Sequence, residues 1–485
     1  MTPISLHRFS IHLGQRVLLR NCDFSIEAGS STVIMGPTGT GKSVFLKSIA
    51  GILPTKIFSF EGDMQVNGFN AYSAGRKLDF RAWSQIEQSG LMFVPAETAQ
   101  VMNPSLTLDQ NLALLAPGCK AVIEKRLNEY FSLDFEAFAR LYPDEVSGGE
   151  MQRITLMILL SRSGNFILLD EPTVNLDRNL RKHFVDFLNK EILAAKDKTF
   201  LMVSHDLDFI RKLTLDQAYM LKEGDIERLE SLPEMEGYEK PEAKKGATGT
   251  AIELQDVSQT YFKRGIFGER TFTAFKGLNL VFERSTIYGI TGPSGCGKSS
   301  TIKAILRLMD GTKGRILMEG SDLVALKPGE TGSDPASFKP FRRRMTVVQQ
   351  DSRFSFFPDL SIRESFEQIA AAGSAGTLEE LTANLEKVGL TSAHLDAYPQ
   401  SLSSGEMKRV DIARALTAKP DILLLDEPFA HIDFETRLHV MKAISEYLAV
   451  HATILVVVTH EDFDLRYFVE KSYDFPELVG QFTKE

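Results

Sequence analysis

The sequence predicts an α/β chain made of two tandem copies of one P-loop domain, and three paired motifs predict it. GPTGTGKS occupies residues 36–43 and GPSGCGKS residues 292–299. SGGEMQR starts at Ser147 and SSGEMKR at Ser403. FILLDEP closes an apolar run with Asp170 and Glu171, and ILLLDEP closes another with Asp426 and Glu427. Lysine to lysine, the loops are 256 residues apart (298 − 42), and the paired serines and aspartates keep the same distance. A fixed period carrying a whole motif set marks a duplicated unit.

Each copy reads in the same order. A β-rich run precedes the loop (STVIM at 31–35, STIYGIT at 285–291) and a helical pattern follows it (VFLKSIAG, TIKAILRLM). In that strand–loop–helix context, backbone N–H groups at a helix N-terminus curl around phosphate. Gly36, Gly39 and Gly41, like Gly292, Gly295 and Gly297, allow the close backbone approach. Lys42 and Lys298 are placed to reach terminal phosphates, and Ser43 and Ser299 to hold Mg²⁺. VSHD then puts His205, and VTHE puts His460, at the end of a further strand. Between the copies, LESLPEMEGYEKPEAKKGATGT is rich in Pro, Gly and charge and reads as an exposed linker. The expected domains are therefore 1–228 and 251–485, joined by a linker at 229–250.

Bulk properties narrow the class. A chain of 485 residues exceeds one ordinary core. Its formal charge of −9 gives no reason to expect direct binding to nucleic acid or anionic lipid. Cys22, Cys119 and Cys296 are widely spaced and match neither a disulfide framework nor a metal site, so a reduced, cytoplasmic compartment is expected. MTPISLHRFS has no hydrophobic signal core, and no apolar run reaches the roughly 18 residues of a membrane helix. Any service to a membrane must then pass through a partner.

P-loop, V/L-S-G/S-G-E signature, hydrophobic-DE strand and terminal histidine, in this order, resemble the ATP-binding cassette (ABC) ATPases over nearly the whole chain. The resemblance implies that each copy is a RecA-like α/β core with a helical signature subdomain, using ATP and Mg²⁺. It implies that Asp170 and Asp426 hold the cation, directly or through water. It implies that Glu171 and Glu427 orient or deprotonate the attacking water, while His205 and His460 contact the γ-phosphate. Family members pair head to tail, each ATP lying between one P-loop and the signature of the other domain. Ser147, Gly148 and Gly149, and Ser403 and Gly405, are then ATP-binding residues, and one chain supplies an intramolecular pair.

The copies differ at three points. Tyr261 in VSQTYFKRG matches the aromatic on which the family stacks adenine, whereas the first copy offers Leu13. Gln350, eight before Pro358, matches a glutamine that touches Mg²⁺, whereas Ala96 stands eight before Pro104. The second signature has Ser404 in place of glycine. Under head-to-tail pairing all three departures fall on one site, so one complete and one degenerate composite ATP site are expected. In the D-loops, Asp177 and Asp433 remain, but TVNLD and FAHID precede them with bulky or polar residues.

The resemblance points to the energy-coupling ATPase of a membrane transporter, peripheral on the inner face of the cell membrane. YFKRGIFGERTFTAFKGLNLVF at 261–282 and MNPSLTLDQNL at 102–112 are similar to importers of oligopeptides, dipeptides and nickel. Peptides or related small solutes and metal chelates are then the cargo, with integral membrane permease subunits and an extracytoplasmic solute-binding protein as partners. The His-Pro-Tyr motif frequent in that group is absent after His460. Residues 351–365, with Phe354, Phe356 and Phe357, and residues 97–110 are expected to form docking clefts for the permease. The alternative is a soluble tandem ABC ATPase acting on ribosomes or nucleic acid. Such proteins usually carry a long basic linker between copies, and this one has a short linker of mixed charge.

Overall fold

The computed structural model describes residues 2–37, 39–78, 80–96, 98–162, 164–173, 176, 178–233, 250–265, 268–284, 286–293, 295–326, 338–371, 376–430, 432–459 and 461–479. The chain divides into two compact units, Met1–Glu234 and Met235–Glu485. Strand Asp225–Leu229 precedes the division and strand Thr250–Gly265 follows it, and residues 234–249 lie outside the described set.

In the first unit, Ser31–Met35, Phe166–Asp170 and Thr199–Val203 are buried at all five positions. Runs apolar on both faces suit a parallel sheet covered on both sides. That sheet runs Asp225–Leu229, Gln217–Lys222, Ser31–Met35, Thr199–Val203, Phe166–Asp170, Leu91–Val94, parallel except at the first pair. An antiparallel sheet, Arg16–Ile26, Ile4–Leu13, Phe58–Val66, Phe69–Ser73, Arg76–Lys77, alternates buried and exposed side chains along Phe58–Val66. Helices Leu108–Leu115, Lys120–Phe131 and Gly148–Leu160 form the helical part.

The second unit repeats the plan. Its parallel sheet runs Met345–Val348, Ile422–Asp426, Ile454–Val458, Ile287–Thr291, Lys471–Asp474, which is the order of the first unit's matching strands. Helices Ile362–Ala371, Leu378–Lys387 and Ser404–Thr417 form its helical part. Registers coincide as well. Leu6 faces Phe24, Ile11 faces Leu19 and Leu13 faces Arg16; Leu254 faces Leu280, Gln259 faces Phe275 and Tyr261 faces Phe272. Leu13 and Tyr261 thus hold the same place on equivalent hairpins. Likewise Leu91 faces Phe166 and Met345 faces Ile422, so Ala96 and Gln350 each follow the edge strand by two residues.

The expected docking role of Phe356 needs correction. Phe356 is 6% exposed, sits in the helical core with Ile362, Phe366 and Leu402, and has the Arg414 guanidinium 5.9 Å from its ring. Phe354 and Phe357, 76% and 46% exposed, carry the apolar surface instead. Phe354 lies within the 3₁₀ turn Ser352–Ser355, whereas Phe356 follows it in extended backbone, where successive side chains point to opposite sides.

Leu424 lies fully buried at the centre of its parallel strand, packed with Tyr288, Ile302 and Val456. Leu424→Ala is expected to lower the second unit's unfolding free energy by about 2–5 kcal/mol, read by denaturant titration.

Candidate functional site

Each P-loop turns directly into a helix, Lys42–Ile49 or Lys298–Ile305. Gly41 and Gly297 cap these helices at φ +101° and +114°, a left-handed conformation that side chains resist. A Cβ on Gly36 would sit 2.2 Å from the Leu221 carbonyl, so glycine is required there too. Gly39, Gly292 and Gly295 share the positive φ. The loop lysines are buried and identically held. Lys42 Nζ donates to the Gly36 and Pro37 carbonyls at 2.8 and 2.9 Å, and Lys298 Nζ to those of Gly292 and Pro293 at 2.7 and 2.8 Å.

One residue on, Ser43 Oγ donates to Asp170 Oδ1 at 2.7 Å and Ser299 Oγ to Asp426 Oδ1 at 3.0 Å. Burial raises both aspartates above the ordinary carboxylate range, and the serine hydrogen bonds oppose it. These oxygens fit Mg²⁺, which prefers hard donors and takes only one or two carboxylates, with water and phosphate completing the shell.

The glutamates that follow adopt left-handed backbone, φ +41° at Glu171 and +50° at Glu427. Their N–H groups donate to Val203 and Val458 carbonyls at 3.0 and 2.9 Å. Strain of this kind persists only where surroundings enforce it, and here the neighbouring strand end does so. Glu171 Oε2 accepts His205 Nδ1 at 2.9 Å and the His205 N–H at 3.3 Å. Burial opposes ionisation of Glu171, but the His205 imidazole holds its carboxyl below the usual range. Burial likewise opposes charge on His205, yet Glu171 holds its pKa above the ordinary value. The two make an ion pair. In the second unit Glu427 is buried, and His460 lies outside the described residues, as do Glu97 and Asp177.

The signature serines begin helices. Ser403 Oγ accepts from the Glu406 N–H at 3.2 Å, while Glu406 Oε2 accepts from Ser403 N–H and Oγ at 2.9 and 2.7 Å. Ser147 and Glu150 repeat this box. A Cβ on Gly148 or Gly149 would meet nothing within 4 Å, and Ser404, at the place of Gly148, is exposed. Gly405 is buried. Tyr261 OH donates to Ser300 Oγ at 2.9 Å, tying the ring to the first turn of the P-loop helix. Leu13 is 38% exposed. Gln350 has an exposed side chain, and its carbonyl accepts Lys408 Nζ.

The structure thus joins Ser43 to Asp170, Glu171 to His205, and Ser299 to Asp426, all at the carboxyl ends of parallel strands, where α/β sheets bind ligands. Sequence reasoning missed buried Lys408, whose only signal was KR against QR in the two signatures. It also missed the ion pairs Arg181–Asp206 and Arg437–Asp464, at 3.0 and 3.1 Å. Their arginines stand at matching places, yet the acids do not align between VSHDLD and VTHEDFD.

A phosphate loop with its lysine, a serine bonded to a strand-end aspartate and an adjoining glutamate define, twice over, a P-loop nucleoside triphosphatase. Residues 19–174 and 275–430 match the ABC transporter family, and the chain belongs to that family. It is an ATP-binding protein and an ATPase. It is 25% identical over 481 residues to the uncharacterized ABC transporter ATP-binding protein YejF of Escherichia coli K12, covering 92% of this chain and 88% of that one. It is 22% identical to the oligopeptide transport ATP-binding protein OppD of Mycobacterium tuberculosis (91% and 88% covered). It is 23% identical to the glutathione import ATP-binding protein GsiA of Salmonella typhimurium LT2 (93% and 80% covered). Among solved structures, RNase-L Inhibitor matches with TM-score 0.65 at 20% identity, covering 95% of this chain and 86% of that one. The archaeal ribosome recycling factor aABCE1, solved with the stalk protein aP1, matches with TM-score 0.63 at 20% identity (96% and 86% covered). At that identity the likeness establishes the two-cassette fold alone.

Burial drives the Asp464 carboxyl up to about 7, against the pull of Arg437. The folded chain then keeps a proton that the unfolded chain releases near the ordinary value of 3.8. Unfolding free energy should therefore fall as pH rises between those values and level off above them. Asp464→Asn should flatten that slope in denaturant titrations run across this pH range.

Proposed function

We propose that the chain is the ATP-hydrolysing, energy-coupling subunit of an ABC importer for peptides or related small solutes. It works on the cytoplasmic face of the membrane, against integral permease subunits served by an extracytoplasmic solute-binding protein. The observation that carries this reading is kinship along more than nine-tenths of the chain with proteins named for oligopeptide transport and glutathione import. Among the described residues no helix is long and apolar enough to cross a membrane, so in this reading the permease supplies the spans. Exposed Phe354 and Phe357, and a groove of about 520 Å³ lined by Ile52, Leu53, Pro54, Lys77 and Trp83, offer apolar surface for it.

In this mechanism the loop lysine exchanges its carbonyl partners for terminal phosphate oxygens. Ser43 with Asp170, and Ser299 with Asp426 and Gln350, would hold Mg²⁺, which when bound would neutralise phosphate charge. Glu171 and Glu427 orient the attacking water and take its proton. His205, bonded to Glu171, keeps that carboxylate ionised, and His460 is assigned the matching role. Under head-to-tail pairing, Leu13, Ala96 and Ser404 weaken one site, while Tyr261, Gln350 and the Ser147-Gly148-Gly149 signature complete the other. The two-cassette fold shared with these structural neighbours also fits a second reading, a soluble ATPase acting on ribosomes or nucleic acid.

Removing a catalytic base costs on the order of 100-fold at its own site. Glu427→Gln should therefore abolish most ATP turnover, whereas Glu171→Gln should leave about half or more; equal losses would refute the asymmetry. Affinity capture of the chain from detergent-solubilised native membranes should recover integral membrane proteins, and Phe354→Ser with Phe357→Ser should reduce that recovery severalfold. Ribosomes or nucleic acid recovered without membrane protein would overturn the transport role.

A further inference from the structure

Lys408 lies on helix Ser404–Thr417, four residues past Ser404, with 3% of its surface exposed. A buried ammonium is costly unless its protons are taken. Its Nζ donates to the Gln349 carbonyl at 2.7 Å and the Gln350 carbonyl at 2.8 Å. Two more residues on the same helix clasp the same stretch of chain. Arg414 donates to the Val347 carbonyl at 2.9 Å, and Asp411 accepts Ser355 Oγ at 2.9 Å. Arg414 and Asp411 are themselves paired at 2.7 Å. The segment 347–355, with Gln350 at its centre, is thereby fastened to the helix that begins with the second signature.

The first unit carries other residues at these places. By the 256-residue period, its matching positions are Gln152, Thr155 and Ile158. Thr155 bonds back to Met151 in its own helix, and Ile158 is apolar. The matching segment carries Pro95 and Ala96 where the second unit has Gln349 and Gln350. The charged clasp therefore occurs in the unit that has a glutamine to position.

We propose that Lys408 is a positioning residue of the second nucleotide site, fixing the backbone from which Gln350 reaches its Mg²⁺. This rests on the assignment of Gln350 to that cation made above. Partners that orient a metal ligand commonly matter 10–100-fold in metal affinity, though they never touch the ion. A plain structural filler would instead affect stability and nucleotide binding alike, with or without the cation.

The test uses the full chain carrying Lys42→Met, so that the second site dominates, and a fluorescent ATP analogue titrated with and without Mg²⁺. Lys408→Gln adopts the residue that the first unit already accommodates. It should lower the Mg²⁺-dependent gain in affinity about tenfold and leave Mg²⁺-free affinity within about twofold. Lys408→Arg, which keeps charge and donors, should recover most of the gain. Gln152→Met, at the matching place in the first unit, should not alter it. An unchanged Mg²⁺ dependence in Lys408→Gln, or equal losses with and without Mg²⁺, would overturn the proposal. A chain with wild-type Lys408 whose binding ignores Mg²⁺ would instead overturn the site assignment on which the proposal rests.

Discussion

The hydrogen bond from P-loop serine to strand-end aspartate is the constraint on which each unit turns. Ser43 and Asp170 are 127 residues apart, as are Ser299 and Asp426. The strand that carries the aspartate is not the neighbour of the strand that carries the loop, because Thr199–Val203 or Ile454–Val458 lies between them. The bond therefore spans a strand and requires all three to end level. Asp170 faces Val203 and Asp426 faces Val458 in register, which brings this about. A slip of one residue would reverse the aspartate's face and separate the pair.

On this common frame the units are electrically different. In the first, the helix behind the signature carries Gln152, Thr155 and Ile158 at the matching places. In the second, the helix behind the signature carries Lys408, Asp411 and Arg414, and the ammonium and guanidinium are spent on backbone carbonyls. Buried charge is tolerated when it is fully hydrogen-bonded, and it then specifies one arrangement more sharply than apolar contact does. The strands that carry the loop, the aspartate and the segment before the glutamine match in order and register between the units, so this difference lies in side chains.

Much of the site was legible from spacing. Loop, aspartate and glutamate positions followed from a repeat in which the interval between motifs is itself conserved between copies. The matches of Leu13 with Tyr261 and Ala96 with Gln350 rested on counting from a glycine or proline. Strand register now places each pair at the same point of the fold. Phe356 was misread because three phenylalanines within four positions look alike in a sequence, whereas the step from a 3₁₀ turn into extended backbone sends one inward and leaves two outside. Lys408 escaped notice because a lysine on a polar-looking helix start ordinarily faces water.

By itself the sequence determined that two P-loop cassettes exist and how their motifs are spaced, and it nominated the residues expected to carry phosphate and cation chemistry. Those properties depend on local geometry, a glycine loop at a helix start and a carboxylate at a strand end, which neighbouring residues dictate. Only the tertiary structure decided that Glu171 is paired with His205 and that Lys408 is buried on two carbonyls. Such contacts depend on which strand ends and helix faces meet, and a chain reveals that only after its hydrophobic surfaces have chosen their partners.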